Sequence, residues 1–473
     1  MRLVKRVVLG VLGVVVAFYL LFAVGLTALG WIVRDNPRVE DSLEAHSTAP
    51  HQLTHFDQGA ASFHRRLVLI ESARKSIELE FFIYDVDEAS RLLTQALMKK
   101  AREGVQVRIL VDFSAPVFKL KPAYAQVLGQ AGVKVRYYNT SAVFRLVSIQ
   151  HRSHRKLLII DGNTVLTGGR NIANDYFDLS DHYNFLDSDL EVSGPIVKTV
   201  LASFDVYWNS HLSTEPEPDP NPDPAAAAFV LPGKRDLAVV ERLRTVGEAY
   251  LSSHPAHECN DLRFVTDFPN HGEASRKVFN AIVDELGRAR QEAVVESPYF
   301  VIKSGGYAVL EDLHKRGVHV RVLTNSLAST DASYAVAALY PWLGSLADTG
   351  LTLSAYRGQP LPLQSTDLGG GHPRWGVHSK RGVIDGETTL LGTYNIDPRS
   401  ANLNSELMLV CRGQKALAAE VLASIAAREA ASGRVIDRGA IVQRSALLGD
   451  SPIRQRLRFL LEMPIANLFD FLL

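Results

Sequence analysis

The amino-acid sequence predicts an α/β layer sandwich that occurs twice along the chain. Segments of strand length alternate with segments of helical periodicity, the pattern of layered α/β domains. A composite polar motif, His154-Arg155-Lys156 with Asp161 and then Gly168-Gly169-Arg170-Asn171, recurs as His378-Ser379-Lys380 with Asp385 and then Gly392-Thr393-Tyr394-Asn395. In both copies His to Lys is 2, His to Asp is 7 and His to Asn is 17. The flanking segments repeat too, with 104–110 matching 317–323 and 80–84 matching 296–300. Matched elements of this length mark an internal duplication, and duplicated halves can present their motifs to each other across a pseudo-two-fold axis.

Taken in order, the elements begin with Arg2, Lys5 and Arg6 before an uncharged run at 7–33. That run is long enough to cross a bilayer as a helix. It exceeds an ordinary secretory h-region, so 1–34 is expected to be a retained signal anchor despite the small residues Ala28-Leu29-Gly30. Positive charge ahead of it favours a cytoplasmic amino end and an extracytoplasmic body. Residues 35–56 read as a polar tether. In the first half, 57–212, strands are expected at 76–84, 105–113, 133–138, 157–160, 164–166 and 189–192, with helices at 88–103, 122–131 and 195–208. The run 105–113 is apolar enough to be buried on both faces, and Gly104 suits a helix C′ position.

Residues 213–228, with five prolines and four acidic residues, read as a spacer. In the second half, 229–432, helices are expected at 273–291, 306–315 and 331–347, and strands at 293–300, 318–324 and 351–356. The remainder, 433–473, is expected to be amphipathic. From Ser451 onward, Arg454, Arg456 and Arg458 alternate with apolar residues in the manner of a membrane-surface helix.

Composition narrows the function classes. Lys plus Arg number 51 and Asp plus Glu 51, so no global basic field invites nucleic acid and any anion site is local. The two cysteines, Cys259 and Cys411, make no disulfide framework. Cys411, in an apolar run, is expected to be a buried thiol.

The doubled motif carries the chemistry. A His-x-Lys pair on an extended strand points both side chains to one face, so two converging copies gather two imidazoles and two ammonium groups. Lysines repel a divalent cation, and no carboxylate cluster accompanies them, so no metal or cofactor is expected. The set suits a phosphate. Lys156, Lys380, Asn171 and Asn395 can hold its oxygens, one His can attack phosphorus, and the other can protonate the leaving alcohol. That division requires the two rings to differ in protonation, and a carboxylate on the non-attacking nitrogen would orient each. Asp189 and Glu406, each opening an apolar strand, are the candidates. Asp161 and Asp385, five residues beyond the lysines, fall on the other strand face and read as ion-pair or turn residues. Arg170 is a candidate phosphate contact.

With these residues the chain resembles the phospholipase D superfamily, whose mark is two HxKx4Dx6G-(G/S/T)-x-N motifs, over about residues 57–430. The resemblance implies a bilobal fold of two similar α/β halves sharing one active site, with both His-Lys-Asp sets in it (His154, Lys156, Asp161; His378, Lys380, Asp385), and a phosphohistidine intermediate. It implies His154 as nucleophile and His378 as acid/base. Within the superfamily the segments 168–177, 296–301 and 324–331 are most similar to bacterial cardiolipin synthases. That likeness implies an inner-membrane phosphatidyltransferase acting on phosphatidylglycerol, with phosphatidylethanolamine as another candidate donor. A hydrolytic phospholipase D is the alternative. A nuclease is disfavoured by the neutral charge, and a non-catalytic membrane scaffold by the intact motifs. The sequence names no accessory protein.

Overall fold

Two large sheets organise the computed structural model, which describes residues 43–467 apart from 115–116, 142–149, 222, 270–275 and 362–371, and before residue 43 only Gly10, Gly13 and Ala17. The first sheet runs Ser213–Thr214, Lys134–Tyr138, Gln106–Asp112, Ser76–Phe81, Leu157–Ile160, Thr164–Gly168, Asp189–Ser193, His51–Phe56, His257–Cys259. The second runs Ala45–Ser47, Leu262–Thr266, Leu407–Cys411, Thr388–Gly392, Arg381–Ile384, Glu292–Glu296, His319–Asn325, Thr352–Tyr356, Ser432–Asp437, Ala440–Ile441. Taken in opposite directions, the two orders match strand for strand through the motif region. The chain is therefore an α/β protein with a duplicated sheet.

Local chemistry explains the elements. Helix Glu88–Arg102 starts with a capping box between Asp87 and Ser90 and buries Leu92, Leu93 and Leu97. Gly104 ends it at φ +92°, a conformation other residues resist. The next strand, Gln106–Asp112, then pairs parallel with Ser76–Phe81 and Lys134–Tyr138. The second half repeats this with helix Ser304–Lys315, Gly317 at φ +75°, and strand His319–Asn325 between two parallel neighbours. Both parallel strands have buried apolar centres, as sheets covered on two faces require.

The sheets share a core. One buried cluster joins Leu157, Ile159 and Val165 of the first half with Val383, Leu391 and Leu409 of the second, packed by helices Val197–Trp208 and Lys415–Ala430. The halves also exchange edge strands. Ala45–Ser47, ahead of the first half, pairs with Leu262–Thr266 in the second sheet, while His257–Cys259 pairs with His51–Phe56 in the first.

The structure corrects several expectations. The tether at 35–56 holds two strands within its described part, and Leu53 and Phe56 are fully buried. Inward-facing His51 and His55 hide the alternation. Cys259 and Cys411 form a disulfide with S–S 2.04 Å. One cysteine lies on each sheet, so the bridge links the two sheets, a proximity that 152 residues of separation conceal. The spacer at 213–228 is structured at both ends: Ser213–Thr214 pairs with Tyr137 and Tyr138, and Phe229, closing the short helix Pro224–Phe229, packs edge-on against Tyr124. The long helix expected at 331–347 is broken into Ser333–Leu339, a 3-10 turn at Tyr340–Trp342, and Leu343–Asp348, because Pro341 interrupts it. Ser432–Asp437 is a strand of the second sheet, not part of an amphipathic tail.

Among the described residues no helix is long and apolar enough to cross a membrane. The run at 7–33, expected to be a span, lies outside them save for three isolated positions.

Candidate active site

Each motif enters the site through a strand of the opposite half. His154 and Lys156 lie in an extended segment just ahead of strand Leu157–Ile160, where Ser153 bridges to Ser405. The His154 amide donates to Ser405 O at 2.9 Å and the Ser405 amide to Arg152 O at 2.8 Å. That pairing brings the next residue, Glu406, to the imidazole, with both carboxylate oxygens 3.0 Å from His154 Nδ1. The second motif mirrors it. Strand Arg374–Val377 pairs parallel with Tyr183–Leu186, and the His378 amide donates to Leu186 O at 2.8 Å. The next residue, Asp187, then puts Oδ2 2.6 Å from His378 Nδ1. Each imidazole is thus presented by one half and held by a carboxylate of the other.

This differs from the sequence reading. Asp189 does not reach either imidazole. It is fully buried among Arg66 and Arg170, each 3.0 Å from Oδ2, and Ser62 at 2.5 Å. Residues 187–188 carry the chain from a strand of the small two-stranded sheet to one of the nine-stranded sheet. Alternation along one strand therefore does not connect Asp187 to Asp189. Arg170 is no phosphate contact. Its guanidinium donates to Asp189, Phe56 O, Asp187 O and Tyr176 O, and it is fully buried behind the site.

Asp161 and Asp385 stand apart from the imidazoles. Asp161 accepts the amides of Arg74, Lys75 and Ser76, and Asp385 those of Arg290, Gln291 and Glu292. Both sit at positive φ, near +50°, where each caps the start of the neighbouring strand. The motif glycines act by close approach. A Cβ on Gly168 would lie 2.2 Å from Ser188 O, one on Gly392 2.2 Å from Leu407 O, and one on Gly169 2.1 Å from the Asp187 carboxylate. Only glycine lets the segments 187–189 and 406–408 lie this close.

The lysines fold back along their own motifs. Lys156 Nζ donates to His154 O at 2.7 Å, and Lys380 Nζ to His378 O. The asparagines differ. Asn171 is engaged, accepting from the Ile83 amide and donating to Tyr176 Oη at 2.9 Å. Asn395 Oδ1 is buried with no hydrogen-bond partner among the described residues.

Burial sets the electrostatics. His154 and His378 are 7% and 6% exposed, enough for a ligand and little else. Burial lowers the His154 imidazole well below its ordinary range, and Lys156 and Lys380 lower it further. His378 falls to about 4, through burial and Lys380, with Asp187 opposing. Burial brings Lys380 down to about 8. The carboxylates diverge: burial lifts Glu406 to about 7, whereas at Asp187 the adjoining His378 and Lys380 outweigh burial and keep it ionised. The two rings are alike in the free site; their partners are not. An arriving phosphate anion favours protonation, most of all at the ring whose partner is already negative.

Aromatic walls flank the pair. Phe82 meets His154 edge-on at 5.3 Å, and Tyr176 and Phe185 meet His378 at 5.2 and 4.7 Å. Beyond them Tyr299 Oη donates to Asp331 at 3.0 Å. Sequence reasoning misses Asp187 and these walls. Asp187 alone leaves a signal, as a second carboxylate beside Asp189. Among the described residues no group of three or more His, Cys, Asp or Glu is placed to hold a metal ion.

Fold and paired motifs together define a member of the phospholipase D-like proteins. The family described as "Cardiolipin synthase, PLD-like domain" matches residues 67–208 and 282–427, more than half of the chain, and the chain belongs to that family. It is 29% identical to cardiolipin synthase C of Escherichia coli strain K12 over 385 residues, covering 75% of this chain and 80% of that protein. It is 27% identical to the major cardiolipin synthase ClsA of Bacillus subtilis strain 168 over 353 residues, covering 74% and 63%. Its fold is similar to that of a phosphatidylserine synthase from Haemophilus influenzae Rd KW20, with TM-score 0.60 and 16% identity over 89% of this chain and 95% of that one.

Proposed function

We propose that this chain is a membrane-bound phosphatidyltransferase that forms cardiolipin through a phosphatidyl-histidine intermediate. The observation that carries this reading is the reciprocal pair of histidines. Two buried imidazoles, each oriented through Nδ1 by a carboxylate of the other half, leave both Nε2 atoms free for chemistry beside two lysines. Family membership and the two cardiolipin synthases that align with three-quarters of the chain support the substrate class.

His154 is the nucleophile in this account. Burial and two flanking lysines keep it neutral, with its lone pair available. As the P–N bond forms, the P–O bond to the head group of phosphatidylglycerol breaks. His378, protonated when the phosphate arrives and stabilised by ionised Asp187, gives its proton to the departing oxygen, and glycerol leaves. The terminal hydroxyl of a second phosphatidylglycerol then returns a proton to His378 and attacks phosphorus. The P–N bond breaks and cardiolipin is released. Lys156, Lys380 and Asn395 hold the phosphoryl oxygens as charge develops, while Asn171 braces the wall through Tyr176. Phosphatidylethanolamine would serve as donor by the same steps, losing ethanolamine.

The body lies outside the cytoplasm, anchored by the apolar segment at 7–33. The Cys259–Cys411 bridge supports this side of the membrane, since disulfides persist in oxidising compartments. The test is a lipid profile of cells lacking their own cardiolipin synthases, expressing either this protein or its His154→Ala form. Cardiolipin with the intact protein alone is the expected result. A His154-dependent rise in phosphatidic acid without cardiolipin would make water the acceptor and overturn the transferase reading.

A further inference from the structure

The last helix, Ile453–Ala466, packs with only one face. Phe459 is buried against Tyr340 with ring centroids 5.5 Å apart, Ala466 is buried, and Asn467 Oδ1 accepts from Trp342 Nε1 at 2.8 Å. The other face has no protein cover among the described residues. Ile453 is 69% exposed, Leu457 55%, Leu460 55% and Leu461 77%. With exposed Pro464 these recur at i, i+4, i+7, i+8 and i+11, a single stripe along one side of the helix. The clustering is not general. Of twelve exposed large apolar side chains among the described residues, five lie on this helix, and two more, Tyr334 and Trp342, lie on the elements beneath it. Exposed Arg454, Arg456 and Arg458 flank the stripe on both sides, against one acid, Glu462, which binds Arg458 at 2.6 Å.

The position of this face matters as much as its composition. The elements under the helix, Ser333–Leu339 and Tyr340–Trp342, come directly after Asp331. Asp331 accepts from Tyr299, and the preceding Ser329 carbonyl accepts from Tyr183 Oη at 2.5 Å. Tyr183 packs on Phe185 at 4.9 Å, which packs on His378 at 4.7 Å. A short chain of contacts thus runs from the loop ahead of the elements under the helix, through Tyr183 and Phe185, to His378.

We propose that the helix Ile453–Ala466 is an interfacial anchor that lays its apolar stripe into an anionic lipid bilayer and so holds the active-site mouth against the membrane surface. A bilayer fits better than a protein partner. An apolar band bordered by arginines on both flanks matches acyl chains below and anionic head groups beside them. The purpose of such an anchor rests on the phosphatidyl-transfer reading: a phospholipid reaches His154 and His378 without leaving the bilayer entirely. The binding itself needs no turnover.

The test uses the full chain in vesicles. Both native cysteines are in the disulfide, so Leu461→Cys provides a single thiol for an environment-sensitive fluorophore, and Leu237→Cys, 87% exposed on helix Asp236–Ser253, provides the control. Vesicles contain nitroxide-labelled acyl chains in either phosphatidylcholine alone or an equal mixture with phosphatidylglycerol. The excess of two positive charges predicts binding, read as quenching at position 461, that is roughly thirtyfold tighter with phosphatidylglycerol, and no quenching at 237. Reversal of charge in Arg454→Glu/Arg458→Glu should remove that preference. An unquenched 461 label, or equal quenching in both lipids, overturns the proposal. So does shielding of the label that tracks protein concentration without lipid, which would assign the stripe to a second copy of the chain. None of these outcomes depends on activity, so failure here leaves the transferase reading intact, and the reverse also holds.

Discussion

Asp187 and Asp189 are two residues apart and have opposite partners. Asp187 accepts from a catalytic candidate, His378, whereas Asp189 neutralises Arg66 and Arg170 in the interior. Asp187→Asn should lower kcat/KM by about 10²–10⁴-fold, the range for losing an acid–base catalyst's support, with thermal stability little changed. Asp189→Asn should do the reverse, destabilising by about 3–5 kcal/mol as two buried guanidinium groups lose their anion. Steady-state kinetics and thermal melts of both variants separate the roles. Lys380 supplies a pH prediction. Its ammonium, brought to about 8 by burial, is charged below that pH and lost above it. The kcat/KM profile should therefore fall on the alkaline side with a midpoint near 8. Lys380→Arg, whose guanidinium does not titrate there, should move that limb upward while costing activity through its different shape.

At the scale of elements, the bridge between Cys259 and Cys411 joins strands of different sheets, and the edge strands Ala45–Ser47 and His257–Cys259 cross between them. Removing the bridge with Cys259→Ala/Cys411→Ala should cost about 2–5 kcal/mol, read as a lower melting temperature. Turnover at low temperature should survive, because the carboxylate–histidine contacts lie elsewhere. Much of this layer is legible in the sequence. Long apolar runs such as 105–113, bounded by Gly104 and flanked by helical periodicity, locate the parallel strands to within a residue or two. The disulfide and the exchanged edge strands are not legible. Both depend on contacts between residues far apart in sequence, and short strands such as His51–Phe56 hide their alternation behind buried histidines.

Across the whole molecule, duplication explains why one site needs both halves. The repeated spacing is enough to gather the two His-x-Lys sets, but it does not tell which carboxylate serves which ring. The candidates Asp189 and Glu406 each follow a motif within their own half, whereas the strand pairings Ser153 to Ser405 and Val377 to Leu186 put each ring's partner across the interface. The family resemblance groups Asp161 and Asp385 with the His-Lys sets, whereas their spacing reads as turn residues, and they hold backbone amides at the far end of the strand. In the proposed reaction these halves pass a phosphatidyl group through His154. The direct measurement is peptide mass spectrometry after a rapid acid-free quench of the full-length enzyme turning over phosphatidylglycerol. The expected result is a phosphatidyl adduct on the peptide containing His154, absent from His154→Ala and formed more slowly in His378→Asn. An adduct on His378 instead, or steady cardiolipin formation with no adduct on either histidine, would contradict it.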